Sequence, residues 1–346
     1  MARLPEDLTE SPDPANTTGF PGEDVLSDVL RSVRLSGSLQ FCFAPTGCWQ
    51  TDATPSLSNL AGNGGNVTPF HIVVEGSCWL KMDGAEWVLD EGDIVAFPFG
   101  TAHQLGAGSG GRLITPVGDL PPKPWRGIPV LRYGDAADRV RLLCGYLHCD
   151  AVSFRPLRAA LPALLHVRTA QAPEADWLRT TIRQIIAEAE RPATGSLALL
   201  ERLTEIAFIE MLRHQIAAAR GAAGWLGALA DPCLGRCLSL IHEDPARDWS
   251  VRDLAAAAGL SRSTLMERFE AVLGMSPIRY VRSWRLHLAS QALSTTTKPV
   301  AAIAHDAGYG TEAAFNRAFS RAFGIPPSTW RRSLWQPSPA SAEAGR

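Results

Sequence analysis

Two copies of one short pattern in the C-terminal third of the chain constrain its fold more than any other feature. In the first copy, apolar residues recur at helical spacing, Gly259 predicts a sharp turn, and Ser261 is a candidate N-cap for the next helix. In the second copy, Pro299 favours a helix start, Gly308 a turn and Thr311 a second cap. A short helix, a glycine turn and a second helix with a polar outer face are typical of the helix-turn-helix motif.

One longer helix is predicted between the two copies, over PIRYVRSWRLHLASQALST. Its apolar residues recur at helical spacing and are expected to face both units: Ile278, Val281, Leu286, Ala289 and Leu293. The residues expected to pack inside the units are Leu254, Ala258, Gly259, Leu265 and Phe269, then Ala304, Gly308, Phe315, Phe319 and Phe323. Two units joined in this way place two recognition helices on one side of a duplex, in successive major grooves.

Three segments together resemble the DNA-binding domain of the AraC/XylS family of bacterial transcription regulators: LAAAAGLSRSTLMERF, GMSPIRYVRSWRL and VAAIAHDAGYGTEAAFNRAFSRAFGIPPSTWR. The resemblance implies a sequence-specific regulator that binds double-stranded promoter or operator DNA as a homodimer, with RNA polymerase as a further partner. By position in the family motif, it places the DNA-reading side chains of the first recognition helix at Arg262, Ser263, Met266 and Glu267. It places those of the second at Glu312, Ala313, Asn316 and Arg317.

The distribution of charge independently favours a nucleic-acid partner for the C-terminal third. Residues 249–335 contain 11 Lys and Arg against 5 Asp and Glu, a net charge of +6. Residues 1–248 contain 21 against 29, a net charge of −8, so the near-neutral total of −2 hides two oppositely charged parts. A basic part of this kind is the electrostatic footprint of DNA binding.

Length and composition exclude a membrane protein and allow several domains. The chain has 346 residues, enough for two or three domains, and its apolar content of 46% is that of a folded protein with a core. No run approaches the about 20 apolar residues of a membrane-spanning helix, so no membrane partner is expected. The acidic leader, rich in Pro and Thr, is not a signal peptide, and we therefore expect a cytoplasmic protein whose seven cysteines do not form structural disulfides.

The N-terminal half has a different pattern from the helical C-terminal third. Short runs of alternating or β-branched residues are separated by Gly, Pro, Asn and Asp, which is typical of a small all-β barrel or sandwich. The residues expected to fill its interior are Trp79, Leu80, Trp87, Val88, Leu89, Ile94 and Phe97.

Two segments of this half resemble the sequence motifs of cupins. The segment GDIVAFPFGTAH has the spacing of the second cupin motif, from Gly92 to His103. The segment HIVVEG resembles the first motif, with His71 and Glu75 in place but with Pro69 where the first histidine of the motif stands. Beside the C-terminal resemblance, these segments imply a cupin-like sensor domain of the kind found in one AraC subgroup.

The chemistry-bearing residues of this half form a candidate sensor or ligand site. His71 and His103 are candidate metal ligands, with Cys144, His148 or Cys149 completing the set, because imidazole and thiolate together suit zinc, copper or iron. Alternatively, an oxidant is sensed by cysteine, for which the candidates are Cys42, Cys48, Cys78, Cys144 and Cys149. A third interpretation is a cupin relic in which the histidines only hydrogen-bond across strands. We predict that His71 and His103 converge beside Cys144 or Cys149, with no catalytic residues.

The sequence therefore predicts an α+β multidomain protein. The expected parts are a disordered leader (1–22), a cupin-like sensor (23–153), a helical dimerisation or linker segment (154–230), an all-α domain with two helix-turn-helix units (231–335) and a disordered tail (336–346). The expected function is transcription regulation controlled by a small effector, metal or oxidant. The alternatives are a cupin-type metalloenzyme with an unrelated helical tail and an architectural DNA-binding protein without an effector.

Overall fold

The computed structural model describes residues 24–31, 35–53, 67–149 and 154–335. The leader and tail that the sequence predicts to be disordered lie outside the described residues, and so does the side chain of Cys149. In the part of the chain that the structure describes, no helix is both long and apolar enough to cross a bilayer.

Two β-sheets form the N-terminal half. The strands are β1 (Leu35–Pro45), β2 (Trp49–Asp52), β3 (Val67–Glu75), β4 (Ser77–Met82), β5 (Ala85–Asp90), β6 (Ile94–Ala96), β7 (Gln104–Ala107), β8 (Arg112–Ile114), β9 (Val130–Tyr133), β10 (Arg141–Cys149) and β11 (Leu165–Val167). One sheet has the order β11-β6-β3-β10-β1-β9, and the other has the order β5-β4-β7-β2-β8. The predicted β-rich sensor domain is confirmed, and its side chains pack between the sheets as in a cupin-like barrel.

Twelve helices are present in the described residues. They are α1 (Val25–Arg31), α2 (Arg155–Ala160), α3 (Asp176–Glu190), α4 (Ser196–Ala218), α5 (Trp225–Ala230), α6 (Pro232–Glu243), α7 (Val251–Ala257), α8 (Arg262–Leu273), α9 (Pro277–Thr295), α10 (Val300–Asp306), α11 (Glu312–Phe323) and α12 (Pro327–Trp335).

The six-stranded sheet is buried on both faces. Because successive side chains of a strand point to opposite faces, Phe41 and Phe43 of β1 enter the barrel interior, while Cys42 faces outward. Helices α3 and α4 cover the outward face through buried residues such as Leu178, Ile185 and Phe208. Contact between β1 and α4 is close: a Cβ on Gly37 would lie 2.6 Å from Thr204 Cβ, so a larger residue there would force α4 away.

Two of the predicted interior residues, Val88 and Trp79, lie outside the barrel instead. Val88 is 56% exposed, because it lies on the outer face of β5, whereas its neighbour Leu89 is fully buried. Trp79 is paired with Val88 and shares this outer face, where it covers Gly106 and donates its indole N–H to the carbonyl oxygen of Gly108 over 3.0 Å. The β-propensity of this stretch predicted the strands correctly, but the alternation placed every second apolar residue outside.

The two helix-turn-helix units differ in how they are anchored. The first unit (α7 and α8) shares one continuous hydrophobic core with the outer face of the barrel, helices α3 to α6 and the N-terminal half of α9. The second unit (α10 and α11) packs in a separate core with α12 and the C-terminal half of α9. Helix α9 therefore has one half in each core, which makes it the main physical link between the two units.

Candidate functional site

Local sequence signals form each helix-turn-helix unit as predicted. The Ser261 hydroxyl accepts the N–H of Thr264 over 3.2 Å and caps α8, while the Thr311 hydroxyl accepts the N–H of Ala314 over 3.2 Å and caps α11. Each unit turns at a glycine whose positive φ is costly for other residues: +66° at Gly259 in the first and +73° in the second. The predicted caps and turns are confirmed.

The two recognition helices, α8 and α11, each have one face buried in the core and the opposite face exposed. Leu265 and Phe269 of α8 are fully buried, as are Phe315 and Phe319 of α11. Seven of the eight predicted DNA-reading side chains are exposed: Arg262, Ser263, Met266, Glu267, Glu312, Ala313 and Arg317. Asn316 is half-buried. The structure thus places these residues on surfaces that a duplex can reach, and their contacts with bases stay a prediction.

Two of the basic residues counted in the net charge of this part of the chain stabilise its structure and are not free to contact DNA. The guanidinium of Arg285 on α9 donates to the backbone oxygens of Pro245 over 2.5 Å and Arg247 over 2.7 Å. The guanidinium of Arg331 donates to the carbonyl oxygen of Lys298 over 2.6 Å. Net charge alone therefore overstates the number of cations that are free to contact phosphate.

The structure brings His71, His103 and Cys144 together inside the barrel. His71 lies on β3 and is directly paired in register with Cys144 on β10, and both side chains point inward. His71 Nδ1 lies 3.2 Å from Cys144 Sγ, and His71 Nε2 lies 2.8 Å from His103 Nε2. His103 also stacks on Phe97, with ring centroids 3.6 Å apart. We refer to His71, His103 and Cys144 as the imidazole–thiol cluster.

The partners of this cluster determine where its protons lie. His103 Nδ1 is 2.8 Å from the carbonyl oxygen of Thr101, so it carries hydrogen and donates. His103 Nε2 is then an acceptor, His71 Nε2 donates to it, and the remaining His71 Nδ1 accepts the Cys144 thiol. One consistent, electrically neutral chain of hydrogen bonds results, and an added proton would force its members to exchange donor and acceptor roles.

Burial keeps each member of the cluster uncharged. Desolvation lowers the pKa of His103 to about 4 and lowers that of His71 well below its usual value, with a further contribution from the charge of His103. Burial also raises the pKa of the Cys144 thiol well above its usual value. The reactive thiolate form of Cys144 is therefore disfavoured, which argues against simple oxidation of this thiol.

The other predicted members of the sensor site lie elsewhere. Glu75 is exposed at the end of β3, where its carboxylate lies 3.6 Å from the Arg141 guanidinium. His148 is exposed near the end of β10. Cys42 faces outward, Cys78 is buried with its pKa raised to about 12 by desolvation, and Cys48 is exposed. All six cysteines with described side chains are free thiols.

The described residues do not fit the metal centre of a cupin enzyme. Pro69 occupies the position of one ligand, and Glu75 points away from the cluster. The two nitrogens of His71 face different partners, so one ion cannot bind His103 and Cys144 through the present ring orientation. Within the described ranges, no group of three or more His, Cys, Asp or Glu side chains is placed to hold a metal ion.

A small cavity reaches the cluster from the side of β1. It measures about 40 Å³ and is lined by His71 and Cys144 together with apolar residues such as Phe41, Phe43 and Leu105. A water molecule needs roughly 10–15 Å³ of such space, so the cavity admits a very small molecule and no drug-sized ligand.

Comparison with known proteins identifies the family. A cupin profile matches residues 24–217, and a helix-turn-helix domain profile matches residues 254–333. A putative AraC-like transcription regulator of Streptomyces lividans is 31% identical over 323 residues, which cover 91% of this chain and 100% of the relative. The chain belongs to the AraC family of transcription regulators.

A second relative is similar over most of the chain, and one solved structure is similar over its C-terminal part. The HTH-type transcriptional regulator AlkR of Acinetobacter baylyi is 31% identical over 312 residues, covering 89% of this chain and 99% of the relative. The crystal structure of an AraC-type regulator from Chromobacterium violaceum, 30% identical, covers 31% of this chain and 96% of that one, with a TM-score of 0.30. This AraC family member is therefore a DNA-binding regulator with a cupin-like N-terminal domain.

Proposed function

We propose that this AraC family regulator reads promoter DNA with α8 and α11 and that the state of the imidazole–thiol cluster controls its affinity for DNA. The observation that carries the proposal is the cluster itself: three chemically versatile side chains form one hydrogen-bonded chain in a mainly apolar interior. Such a chain has few ways to accommodate a ligand without rearranging. A regulator needs an effector that binds its two conformations unequally, and rearrangement of the cluster supplies that difference.

The DNA-reading half of the proposal predicts a specific loss in the Arg317→Ala variant. Arg317 is exposed on α11, and an arginine side chain donates two parallel hydrogen bonds to guanine in the major groove. We expect the variant to lose about 1–3 kcal/mol of binding free energy at the cognate site and to tolerate substitution of one base pair. The measurement is a gel-shift titration on a site selected from a random duplex library by the wild-type protein.

The matched control is Arg112→Ala, which removes an equally charged, exposed side chain from β8, away from the recognition helices and from α3 and α4. This control should bind the selected site as wild type does. If Arg317→Ala also binds and discriminates like wild type, α11 does not read bases through this residue.

The sensing half predicts that His71→Ala/His103→Ala keeps DNA binding but loses the response to the effector. Zinc, copper(I), hydrogen peroxide and hypochlorite are the probes, because imidazole and thiol groups bind or react with them. Footprinting with and without each probe should show a change in wild type for at least one of them, and the double variant should lack that change. His148→Ala is the matched control, since His148 is an exposed histidine on the strand that carries Cys144.

A folded double variant that still responds fully would place the sensor elsewhere. If the protein protects DNA equally well whatever the DNA sequence and whatever probe is added, the architectural DNA-binding alternative is favoured instead. The enzyme alternative has no support from the relatives, which are transcription regulators. We therefore propose a non-enzymatic role, exercised in the cytoplasm on promoter DNA and alongside RNA polymerase.

We also propose that the protein acts as a homodimer through helices α3 and α4. Most of their apolar stripe covers the barrel, but part of it stays exposed: Trp177 by 71%, Leu199 by 47% and Ile206 by 43%. Exposed apolar residues on neighbouring helices are typical of a surface that a second copy covers. The dimer would then present two DNA-binding domains to the duplex. The helical segment between the sensor and the DNA-binding domain would serve as the predicted dimerisation segment.

A further inference from the structure

A second cavity lies outside the barrel and is unrelated to the imidazole–thiol cluster. It measures about 260 Å³ and lies between the outer face of β9, β1 and β10 and the C-terminal end of α3. The alternation of β1 separates the two sites: Cys42 and Ala44 line this cavity, while Phe41 and Phe43 face the barrel interior. Its volume is just below the about 300–1,000 Å³ of typical ligand pockets, so it suits a small metabolite.

The floor of this cavity is aliphatic. Cys42 is 3% exposed, Leu143 is 2% exposed and Ile128 is 9% exposed, and all three belong to the core that joins the sheet to α3. Ile186 and Ala189 of α3 form the opposite wall. No aromatic ring is among the described residues that line the cavity, so it offers a flexible aliphatic chain more contact than it offers a stacking aromatic ligand.

The rim of the cavity is cationic. Three arginines line it, Arg132, Arg139 and Arg141, against one acidic residue, Glu190. Arg141 is occupied, because it donates to Glu190 over 2.7 Å. Arg132 and Arg139 are exposed, and neither makes an ion pair within the described residues.

We infer that this cavity binds a small aliphatic carboxylate. The carboxylate meets Arg132 and Arg139, whose planar guanidinium groups match its two oxygens, and the aliphatic body lies on the floor against α3. The excess of arginine at the rim favours an anion, and the apolar floor favours a ligand with an aliphatic body, which inorganic anions lack. The ligand would therefore bind the edge of the barrel and α3 together.

The experiment measures binding of hexanoate and octanoate to the intact protein by calorimetry, with 1-hexanol, 1-octanol and inorganic phosphate as comparison ligands. We expect the carboxylates to bind and the alcohols to bind at least about tenfold more weakly, because hydrogen bonds to charged groups contribute about 1.5–3 kcal/mol. Equal affinity for carboxylate and alcohol would overturn the role of the arginines. Equal affinity for phosphate and carboxylate would overturn the role of the floor.

Two variants test the two parts of the site separately. Arg132→Gln/Arg139→Gln should weaken carboxylate binding at least about tenfold, because it removes both charged donors. Both changes are on the surface and remove no ion pair of the described residues, so the variant should fold as wild type does. Ala189→Leu should also remove binding by filling the cavity, while keeping both guanidinium groups. Retention of wild-type affinity by either variant contradicts the proposal.

Two controls separate this site from the rest of the molecule. Arg202→Gln removes an exposed arginine on α4 and should bind octanoate as wild type does. His71→Ala/His103→Ala should likewise leave octanoate binding unchanged, because the carboxylate site does not depend on the imidazole–thiol cluster. Loss of binding in either control, in a folded protein, would place the ligand elsewhere.

Discussion

Phe319→Ala is expected to destabilise the second helix-turn-helix unit by about 3–5 kcal/mol, the cost of truncating a fully buried phenylalanine. Phe319 is 0% exposed, and its ring lies 4.5 Å from that of Phe323 and 5.5 Å from that of Phe315. The core of the second unit is small and separate, so a loss of this size removes most of what holds α10 and α11 together. Sequence-specific DNA binding should disappear with it.

Hydrogen exchange is the measurement that tests this prediction. Amide protection should fall in α10 and α11 and stay unchanged in α7 and α8, whose core is shared with the barrel. Arg317→Ala, on the same helix, should keep wild-type protection and lose only base reading. A Phe319→Ala protein that melts like wild type, or that loosens evenly throughout, would show that the second unit does not have a core of its own.

Acidification is expected to destabilise the whole protein between pH 7.5 and pH 5. Besides the two histidines of the cluster, His242 and His287 are buried near α9, and burial lowers their pKa values to about 3 and about 4. Each unfolded histidine binds a proton below about pH 6.5, whereas the folded form does not, so stability falls as the pH drops through that value. The expected loss at pH 5 is about 2 kcal/mol for each of His242 and His287.

Hydrogen bonds at His242 reinforce this expectation. The Trp225 indole donates to the Tyr280 hydroxyl over 2.9 Å, so the hydroxyl hydrogen is directed at His242 Nε2, 2.8 Å away. A proton on that nitrogen would oppose another donor in a site without water access. Urea unfolding at pH 7.5 and pH 5 measures the effect, and carboxyl groups contribute little in this window because most titrate below it.

His242→Gln and His148→Gln form a matched pair for this test. The first should reduce the pH dependence by the contribution of one histidine, because glutamine cannot take up the proton. The second removes an exposed histidine and should leave the pH dependence unchanged. Equal urea midpoints for wild type at the two pH values would contradict the proposed neutrality of the buried histidines.

The caps, turns and helix bounds of the helix-turn-helix units were predictable because their signals are local, but Gly259 and Gly308, which were expected to pack inside the units, are exposed at the turns. Caps such as Ser261 and Thr311 and turns such as Gly259 act within four residues of the chain, and the predicted helix over PIRYVRSWRLHLASQALST coincides with α9. The predicted packing faces of Leu265 and Phe319 also follow from helical spacing alone.

Features that depend on long-range pairing could be predicted only in part. The sequence predicted that His71 and His103 converge beside Cys144 or Cys149, but the adjacency of His71 to Cys144 depends on the register between β3 and β10. The outward position of Val88 depends on the same kind of information. The cluster of His242, Tyr280 and Trp284 joins two separate helices, α6 and α9, and no periodicity in the sequence indicates that these rings stack.

The unequal anchoring of the two units has a mechanical consequence for how the protein meets DNA. Any movement of α3, α4 or the barrel is transmitted to α8 directly, since their side chains are interlocked in one core. The same movement reaches α11 mainly along the rod of α9 and through the hydrogen bond from Arg155 to the carbonyl oxygen of Ala322. The first recognition helix, α8, is thus held in a fixed position relative to the barrel. The position of the second recognition helix, α11, depends on the angle of α9.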